Sequence, residues 1–343
     1  MMKVLLQSYN TCCQNRSGGV NVRIKKIYQL LKDLGVKVHF FDKFSTDLNE
    51  YDVLHVFRLD AENTALIECA KQRGLKVVIS SIVNLDGGRK IDIYRKIINK
   101  LPVMTTYKLM FQSLKLADSI IVETPSEKVF LHKHYGVDTT KISVIPNGVE
   151  EITYNGKDIF SILKSDKKFL LHVGRFDKNK NQLNVIKALK DTDIDLVFIG
   201  GADHTNSSYY DECKLLAEGT SNIHFLGWLD SSEPLFKSAL SNAYAFILPS
   251  FHETFGLVLL EAGVCGALLL ISNTLPILKF SEFNECYTFS PSKPREIRKC
   301  VMKVWSIKEA VNVKDKIIKK FSWNTIISEH IDLYNKLGKK NYQ

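Results

Sequence analysis

Two short stretches in the second half of the sequence gather the residue types that bind phosphates and hydroxyls. In the first, the apolar run Leu170-Leu171-His172-Val173 ends at Gly174 and delivers Arg175, Lys178 and Lys180 just before a helical pattern. A guanidinium offers a planar fork to phosphate oxygens and an ammonium a point charge, so Arg175 and Lys180 together suit a departing diphosphate. Lys178 reads equally well as a solvated residue at the helix start. In the second stretch, Pro249-Ser250-Phe251-His252-Glu253-Thr254-Phe255-Gly256 leads from an apolar strand into a helix opening near Leu257. A glycine there lets a ligand approach free backbone N–H groups, at the end of the helix whose dipole favours an anion. From Leu257 to Gly266 every residue but Glu261 is apolar, so the helix is expected to be buried all round while carrying a carboxylate. Such a group must be paired. A pair of ribose hydroxyls is one fitting partner, a structural salt bridge another, and for Glu253 the helix dipole is a third.

Two further motifs carry less. Ser17-Gly18-Gly19-Val20 lies between the first apolar run and a helical pattern reaching about Leu34, where a glycine pair serves either a phosphate or simply a turn with positive φ. Neither G-x-G-x-x-G nor a Walker A sequence is present, which argues against a nicotinamide dehydrogenase and an ATPase. Asp191-Thr192-Asp193 spells a metal-binding D-x-D, but it precedes the strand Ile194–Ile199 instead of following one, and reads as a solvated turn. No metal ligand set is expected.

The elements that must position these loops are short apolar runs alternating with helix-period segments. Val4–Leu6, Val36–Phe40, Val53–Val56, Val77–Ile79 and Ile120–Val122 form one series. Phe169–Val173, Leu196–Ile199, Ile223–Leu226, Ala245–Leu248 and Ala267–Ile271 form a second. Each series predicts a parallel sheet covered by helices on both faces, with ligands beyond the carboxyl ends of the strands. A chain of 343 residues suits two such domains, divided near residue 150 into 1–150 and 151–343, with Glu150–Lys168 as a polar linker. A last amphipathic helix, about 322–338, is expected, with Ser322 as its cap.

Composition sets the setting. No run approaches the length of a membrane span, and the apolar run at the N-terminus is too short for a secretory signal, so a cytoplasmic protein is expected. Seven cysteines lack the spacing of a zinc site and read as reduced thiols. The net charge of +10 is uneven: residues 89–116 hold seven basic residues against Asp92 alone. Ile91, Tyr94, Ile97, Ile98 and Leu101 recur there at helical spacing, which predicts either a surface helix packed on its own sheet or a basic amphipathic segment on the inner face of an anionic membrane. It lacks a nucleic-acid recognition motif and interleaved aromatics, so no nucleic-acid partner is expected.

In order along nearly the whole chain, these pieces resemble glycosyltransferase family 4 of the GT-B fold: Gly18-Gly19, Pro146-Asn147-Gly148-Val149, Gly174-Arg175 with Lys180, Phe225-Leu226-Gly227, Glu253 with Glu261, and Phe321-Ser322-Trp323. The resemblance implies two Rossmann-like domains facing across a cleft, 1–150 on the acceptor side and 151–343 on the donor side, with the last helix, about 322–338, returning to the first. It also implies a retaining transferase of the EC 2.4 class that moves a sugar from a UDP-, GDP- or ADP-linked donor to a hydroxyl of a glycan or lipid-linked acceptor. No cofactor or obligatory metal is implied. Arg175, Lys180 and Glu253 would be catalytic, binding diphosphate and sugar. Gly18, Gly19, Gly174, Phe255, Gly256 and Leu257 would line the donor, Glu261 would hold the ribose, and Trp228 and Leu229 would line the base pocket. Many members carry a histidine at the tip of the strand that here reads Val77 to Asn84 without one, which leaves Ser80, Ser81, Asn84 and the nearby His55 as acceptor-side candidates. His55 also reads as a satisfied core histidine. A nucleotide-sugar epimerase and a non-catalytic sugar-nucleotide or glycan-binding protein are the alternatives.

Overall fold

The computed structural model describes residues 2–12, 19–83, 102–163, 168–202, 207–307 and 311–338. They form two compact units, Met1–Asn147 with Trp323–Gln343, and Gly148–Ser322. No helix among the described residues is long and apolar enough to cross a membrane.

The first unit carries six parallel strands, β1 (Lys3–Gln7), β2 (Lys37–Phe40), β3 (Val53–Phe57), β4 (Lys76–Ser80), β5 (Ser119–Val122) and β6 (Ile142–Val144), in the order β2-β1-β3-β4-β5-β6. Helices α1 (Gly19–Asp33), α2 (Thr64–Gln72), α3 (Thr106–Leu116) and α4 (Pro125–Tyr135) lie between strands. With both faces covered, the inner strands have no solvent side to mark with polar residues, which is why they read as unbroken apolar runs.

Several polar groups inside this unit pair with one another. The Arg23 guanidinium on α1, 1% exposed, lies 2.6 Å from Glu123 Oε1 at the end of β5 and donates to Ile145 O at 3.1 Å. Asn147 Nδ2 donates to the same carboxylate oxygen at 3.0 Å. Glu127 accepts from Ser81 Oγ at 2.6 Å and from the backbone N–H groups of Val83 and Glu123. Burial and the neighbouring Glu123 push the Glu127 carboxyl up to about 7.

The second unit holds β7 (Phe169–Val173), β8 (Asp195–Ile199), β9 (Ile223–Phe225), β10 (Ala245–Leu248), β11 (Leu268–Ser272) and β12 (Tyr287–Phe289), in the order β12-β11-β10-β7-β8-β9. Its helices are α5 (Asp158–Leu163), α6 (Gln182–Leu189), α7 (Ser208–Leu216), α8 (Pro234–Asn242), α9 (Leu257–Val264), α10 (Pro294–Trp305) and α11 (Lys314–Phe321). From β7 the chain builds β8 and β9 on one side and then crosses to build β10, β11 and β12 on the other. Strand order therefore reverses between β7 and β10, where an open α/β sheet leaves a crevice at the carboxyl ends of its strands.

Two features depart from the sequence reading. The stretch read as a polar linker contains α5, whose Ile159 and Leu163 are buried and whose Ile159 N–H donates to Ser238 Oγ of α8. Six residues with only Ile159 and Leu163 buried, set in a polar run, conceal such a short helix. Strand β12 was not expected, because it is three residues at a sheet edge with only Phe289 buried. The last helix, α12 (Trp323–Gly338), belongs to the first unit, where Ile326, Ile327 and Tyr334 share a core with Val4, Leu6 and Val53.

Candidate functional site

The loop after β7 is shaped by glycines that bring backbone close to backbone. Gly174 N–H donates to Ile199 O, Phe176 N–H to Gly201 O, and Gly200 N–H to Gly227 O, so the ends of β7, β8 and β9 form one continuous lip. Gly200 takes φ +128, and a Cβ there would lie 2.1 Å from Gly174 O, so this close approach admits glycine alone. At Gly201 a Cβ would meet Trp228 Nε1 at 2.7 Å. The half-exposed Trp228 indole thus rests on this lip, with Leu229 partly buried beside it in sequence.

Beneath Gly174, His172 is fully buried. Its Nδ1 lies 3.0 Å from Ile247 O and its Nε2 3.1 Å from Gln182 Nε2, which also donates to Arg175 O at 2.9 Å. An amide N–H toward Nε2 and a carbonyl at Nδ1 fix the tautomer with its proton on Nδ1. Burial pushes the imidazole down to about 4, so it is neutral and serves as a fixed strut under the Arg175 loop.

Above it, the charged groups converge. Arg175 is half-exposed and bonded through Nε to Asp177 Oδ2 at 3.1 Å, while Asp177 Oδ1 accepts the Lys180 N–H at 2.8 Å. One carboxylate therefore shapes the loop and aims both basic residues. Lys180 Nζ meets Glu253 Oε1 at 2.6 Å, and Ser250 Oγ donates to the same oxygen at 2.6 Å. The loops after β7 and β10 are thus joined through Lys180 and Glu253, which the sequence singled out separately and not as a pair.

Helix α9 opens with Gly256 at φ +93, a cap residue that has no side chain to hydrogen-bond the first-turn N–H groups. The Phe255 ring turns inward instead, packing on Phe280 and Phe321 at centroid distances of 6.4 and 6.0 Å, so only its backbone can serve a ligand. One helical turn on, the Glu261 carboxylate is largely buried and burial raises its pKa. Among the described residues no donor or cation reaches it, so its partner is not the structural salt bridge the sequence left open. A largely buried carboxylate without a partner is costly in the absence of a ligand and is a marker of a binding site.

The first-unit candidates fare differently. His55 on β3 is fully buried, with Nδ1 2.7 Å from the Tyr334 hydroxyl of α12 and Nε2 2.9 Å from Ser80 Oγ. Burial, with His330 and Arg23 nearby, holds its pKa well below the ordinary histidine value. Both ring nitrogens and the Ser80 hydroxyl are spent inside the core, which corrects their acceptor-side assignment. Ser81 is likewise buried, its hydroxyl given to Glu127. These three lie in central strands or directly at their ends, where a polar group is tolerated only when a neighbour satisfies it. Gly19 is the first residue of α1, whereas Gly18, Asn84 and residues 89–101 of the basic segment lie outside the described residues. Asp191 and Asp193 sit in the turn between α6 and β8, where Thr192 N–H bonds Leu189 O.

Sequence reasoning missed Asp177, Asn179, Asn181, Gln182 and His172. The one local signal was a polar, asparagine-rich Asp177-to-Gln182 run in which Asn181 adopts φ +61, a conformation asparagine tolerates better than most residues.

The sequence matches two family models in succession, Glycosyltransferase Family 4 over residues 42–151 and Glycosyl transferases group 1 over residues 156–320. It is similar to an uncharacterized glycosyltransferase of Methanocaldococcus jannaschii, 27% identical over 279 residues, or 75% of this chain and 68% of that one. It is also similar to the N,N'-diacetylbacillosaminyl-diphospho-undecaprenol alpha-1,3-N-acetylgalactosaminyltransferase of Campylobacter jejuni, 28% identical over 283 residues, or 71% and 70% of the two chains. Its fold is that of sucrose-phosphate synthase from Thermosynechococcus elongatus, with TM-score 0.75 at 18% identity over 98% of this chain and 99% of that one. Anabaena HepE, crystallised with UDP and glucose, matches with TM-score 0.72 at 15% identity over 98% and 100%. With both halves of the chain matched in order and the convergent loops in the half matched by the group 1 model, the chain belongs to glycosyltransferase family 4 and is an enzyme of the EC 2.4 class.

Proposed function

We propose that this glycosyltransferase moves a sugar from a nucleoside diphosphate donor, UDP- or GDP-linked, to a hydroxyl acceptor, with retention of anomeric configuration. The observation that carries the reading is the placement of Lys180, Glu253 and the unpartnered Glu261 around the strand-order reversal of the second sheet. In this reading Arg175 and Lys180 take the diphosphate, and Glu253 accepts hydrogen bonds from the sugar. The N–H groups at the start of α9 add to the anion site, Glu261 holds the ribose, and Trp228 with Leu229 borders the base. The departing diphosphate takes the acceptor proton, so the protein supplies fixed positive charge and orientation and needs no nucleophile of its own. Two cationic side chains and a helix N-terminus supply the charge that a metal ion would otherwise bring, which supports a metal-independent reaction.

Hydrolysis of an α-linked UDP- or GDP-sugar without acceptor, followed by NMR in the presence of chelator, tests this reading. The released sugar is expected to appear first as the α-anomer, and β-anomer as the initial product would refute retention.

The acceptor is read as a glycan or lipid-linked sugar of cell-surface polysaccharide, lipopolysaccharide or glycolipid synthesis. The support is the undecaprenol-linked substrate in the Campylobacter relative's name and the similarity to the O-antigen chain mannosyltransferase of Salmonella typhimurium, 23% identical over 221 residues, or 64% of this chain and 60% of that one. Residues 102–116, the described part of the basic segment, expose Val103, Met104 and Phe111 at 49%, 72% and 36%, beside Lys108 and Lys115. Exposed apolar side chains among lysines suit the surface of an anionic bilayer, on the inner face of the membrane. The protein is expected to pellet with phosphatidylglycerol vesicles at low salt and to release as ionic strength rises. Recovery wholly in the supernatant at low salt would contradict membrane docking.

A further inference from the structure

Three consecutive residues, Asn179, Lys180 and Asn181, each hold a different part of the loop after β10. Asn181 Nδ2 donates to Pro249 O at 3.0 Å and to Pro291 O at 2.7 Å, anchoring the start of that loop. Lys180 Nζ meets Glu253 at its far end. Asn179 does most between them. Its backbone oxygen accepts from Phe251 N–H at 2.9 Å, its Oδ1 accepts from His252 N–H at 3.0 Å, and its Nδ2 donates to His252 O at 2.9 Å.

The last two bonds form a closed ring between one side-chain amide and one backbone residue. They connect the immediate neighbour of Lys180 to the immediate neighbour of Glu253. Packing does not supply this restraint, because His252 is exposed and Asn179 only partly buried. Few side chains can replace the ring: aspartate keeps the acceptor but loses the donor, and alanine loses both.

We propose that Asn179 is a positioning residue that sets the Lys180–Glu253 geometry on the sugar diphosphate, a proposal that rests on the donor-site reading above. It touches no substrate atom. Its effect falls on the reacting end of the donor, while the nucleoside is held by Glu261 and the lip at Trp228. Misplacement of a catalytic group by about 1 Å costs roughly 10²-fold in rate.

The test compares wild type, Asn179→Ala and Asn179→Asp in three measurements: hydrolysis of UDP-glucose and GDP-glucose, calorimetric binding of UDP and GDP, and amide hydrogen exchange at Phe251 and His252 without ligand. Asn179→Ala is expected to lower kcat for the sugar nucleotide that wild type turns over by about 10- to 100-fold. The Kd for the matching diphosphate should rise by no more than about threefold, since Arg175, Glu261 and the lip at Trp228 still hold the nucleotide when Lys180 is displaced. Exchange at Phe251 and His252 should quicken, with Asn179→Asp intermediate throughout. Wild-type kcat in Asn179→Ala, or a diphosphate affinity that falls in step with kcat, would overturn the proposal. A wild type that binds neither nucleotide would overturn the donor reading and this proposal with it, even if exchange still responded to the substitution.

Discussion

Lys180→Ala is expected to lower donor turnover by about 10²–10³-fold while leaving the fold intact, the loss seen when one fixed charge-stabilising donor is removed from an active site. The effect is electrostatic and has two sources. The ammonium would stabilise the diphosphate as it departs, and in the unliganded protein it neutralises Glu253, whose side chain is only 12% exposed. Without Lys180, Glu253 keeps, among the described residues, only the Ser250 hydroxyl as a close partner and becomes a negative charge facing an anionic ligand. Arginine is not expected to restore the rate, because its wider planar fork does not reproduce a point charge 2.6 Å from Glu253 Oε1. The measurement is release of nucleoside diphosphate from the sugar nucleotide used by wild type, with the thermal midpoint as a control for folding. A rate within threefold of wild type would remove Lys180 from the mechanism.

The second large effect concerns stability. Glu123→Ala is expected to destabilise the first unit by about 3–5 kcal/mol, because it leaves the buried Arg23 guanidinium without its carboxylate. Among the described residues, Ile145 O alone would then hydrogen-bond that guanidinium, and its Nε is already without a partner. Replacing both members together, as Arg23→Met with Glu123→Leu, should recover most of the loss, since two apolar side chains carry no desolvation cost. Trp323 is the one tryptophan of the first unit, Trp228 and Trp305 lying in the second. Urea unfolding followed by its fluorescence, with those two replaced by phenylalanine, isolates the transition. A double variant no more stable than Glu123→Ala would show that packing at this site outweighs the charge pairing.

What could be read from the sequence follows from how each feature is encoded. Val4–Leu6, Val53–Val56 and Phe169–Val173 were legible as strands because a parallel strand covered on both faces must be apolar at every position. Tyr287–Phe289 was not, because an edge strand of three residues has too little buried surface to leave a pattern. Lys180, Glu253 and Glu261 stood out by charge placed beside apolar elements, where charge is costly without a reason. The bonds that arrange them did not, since nothing in the order Asn179-Lys180-Asn181 tells which carbonyl across the sheet each amide will meet. His55 and Ser80 looked available because their types can do chemistry, and only the position of Tyr334, 279 residues from His55, reveals that the imidazole is already satisfied.

The central claim is that the loops after β7 and β10, with Glu261 on α9, hold a nucleoside diphosphate. Its most direct test is isothermal calorimetry of UDP, GDP and ADP against wild type, Arg175→Ala and Glu261→Ala, with chelator present. Wild type is expected to bind one of the three, and both substitutions to weaken it: Arg175→Ala through the lost diphosphate contact and Glu261→Ala through the lost ribose contact. Wild type that binds none of the three, or binding that neither substitution alters, would contradict it.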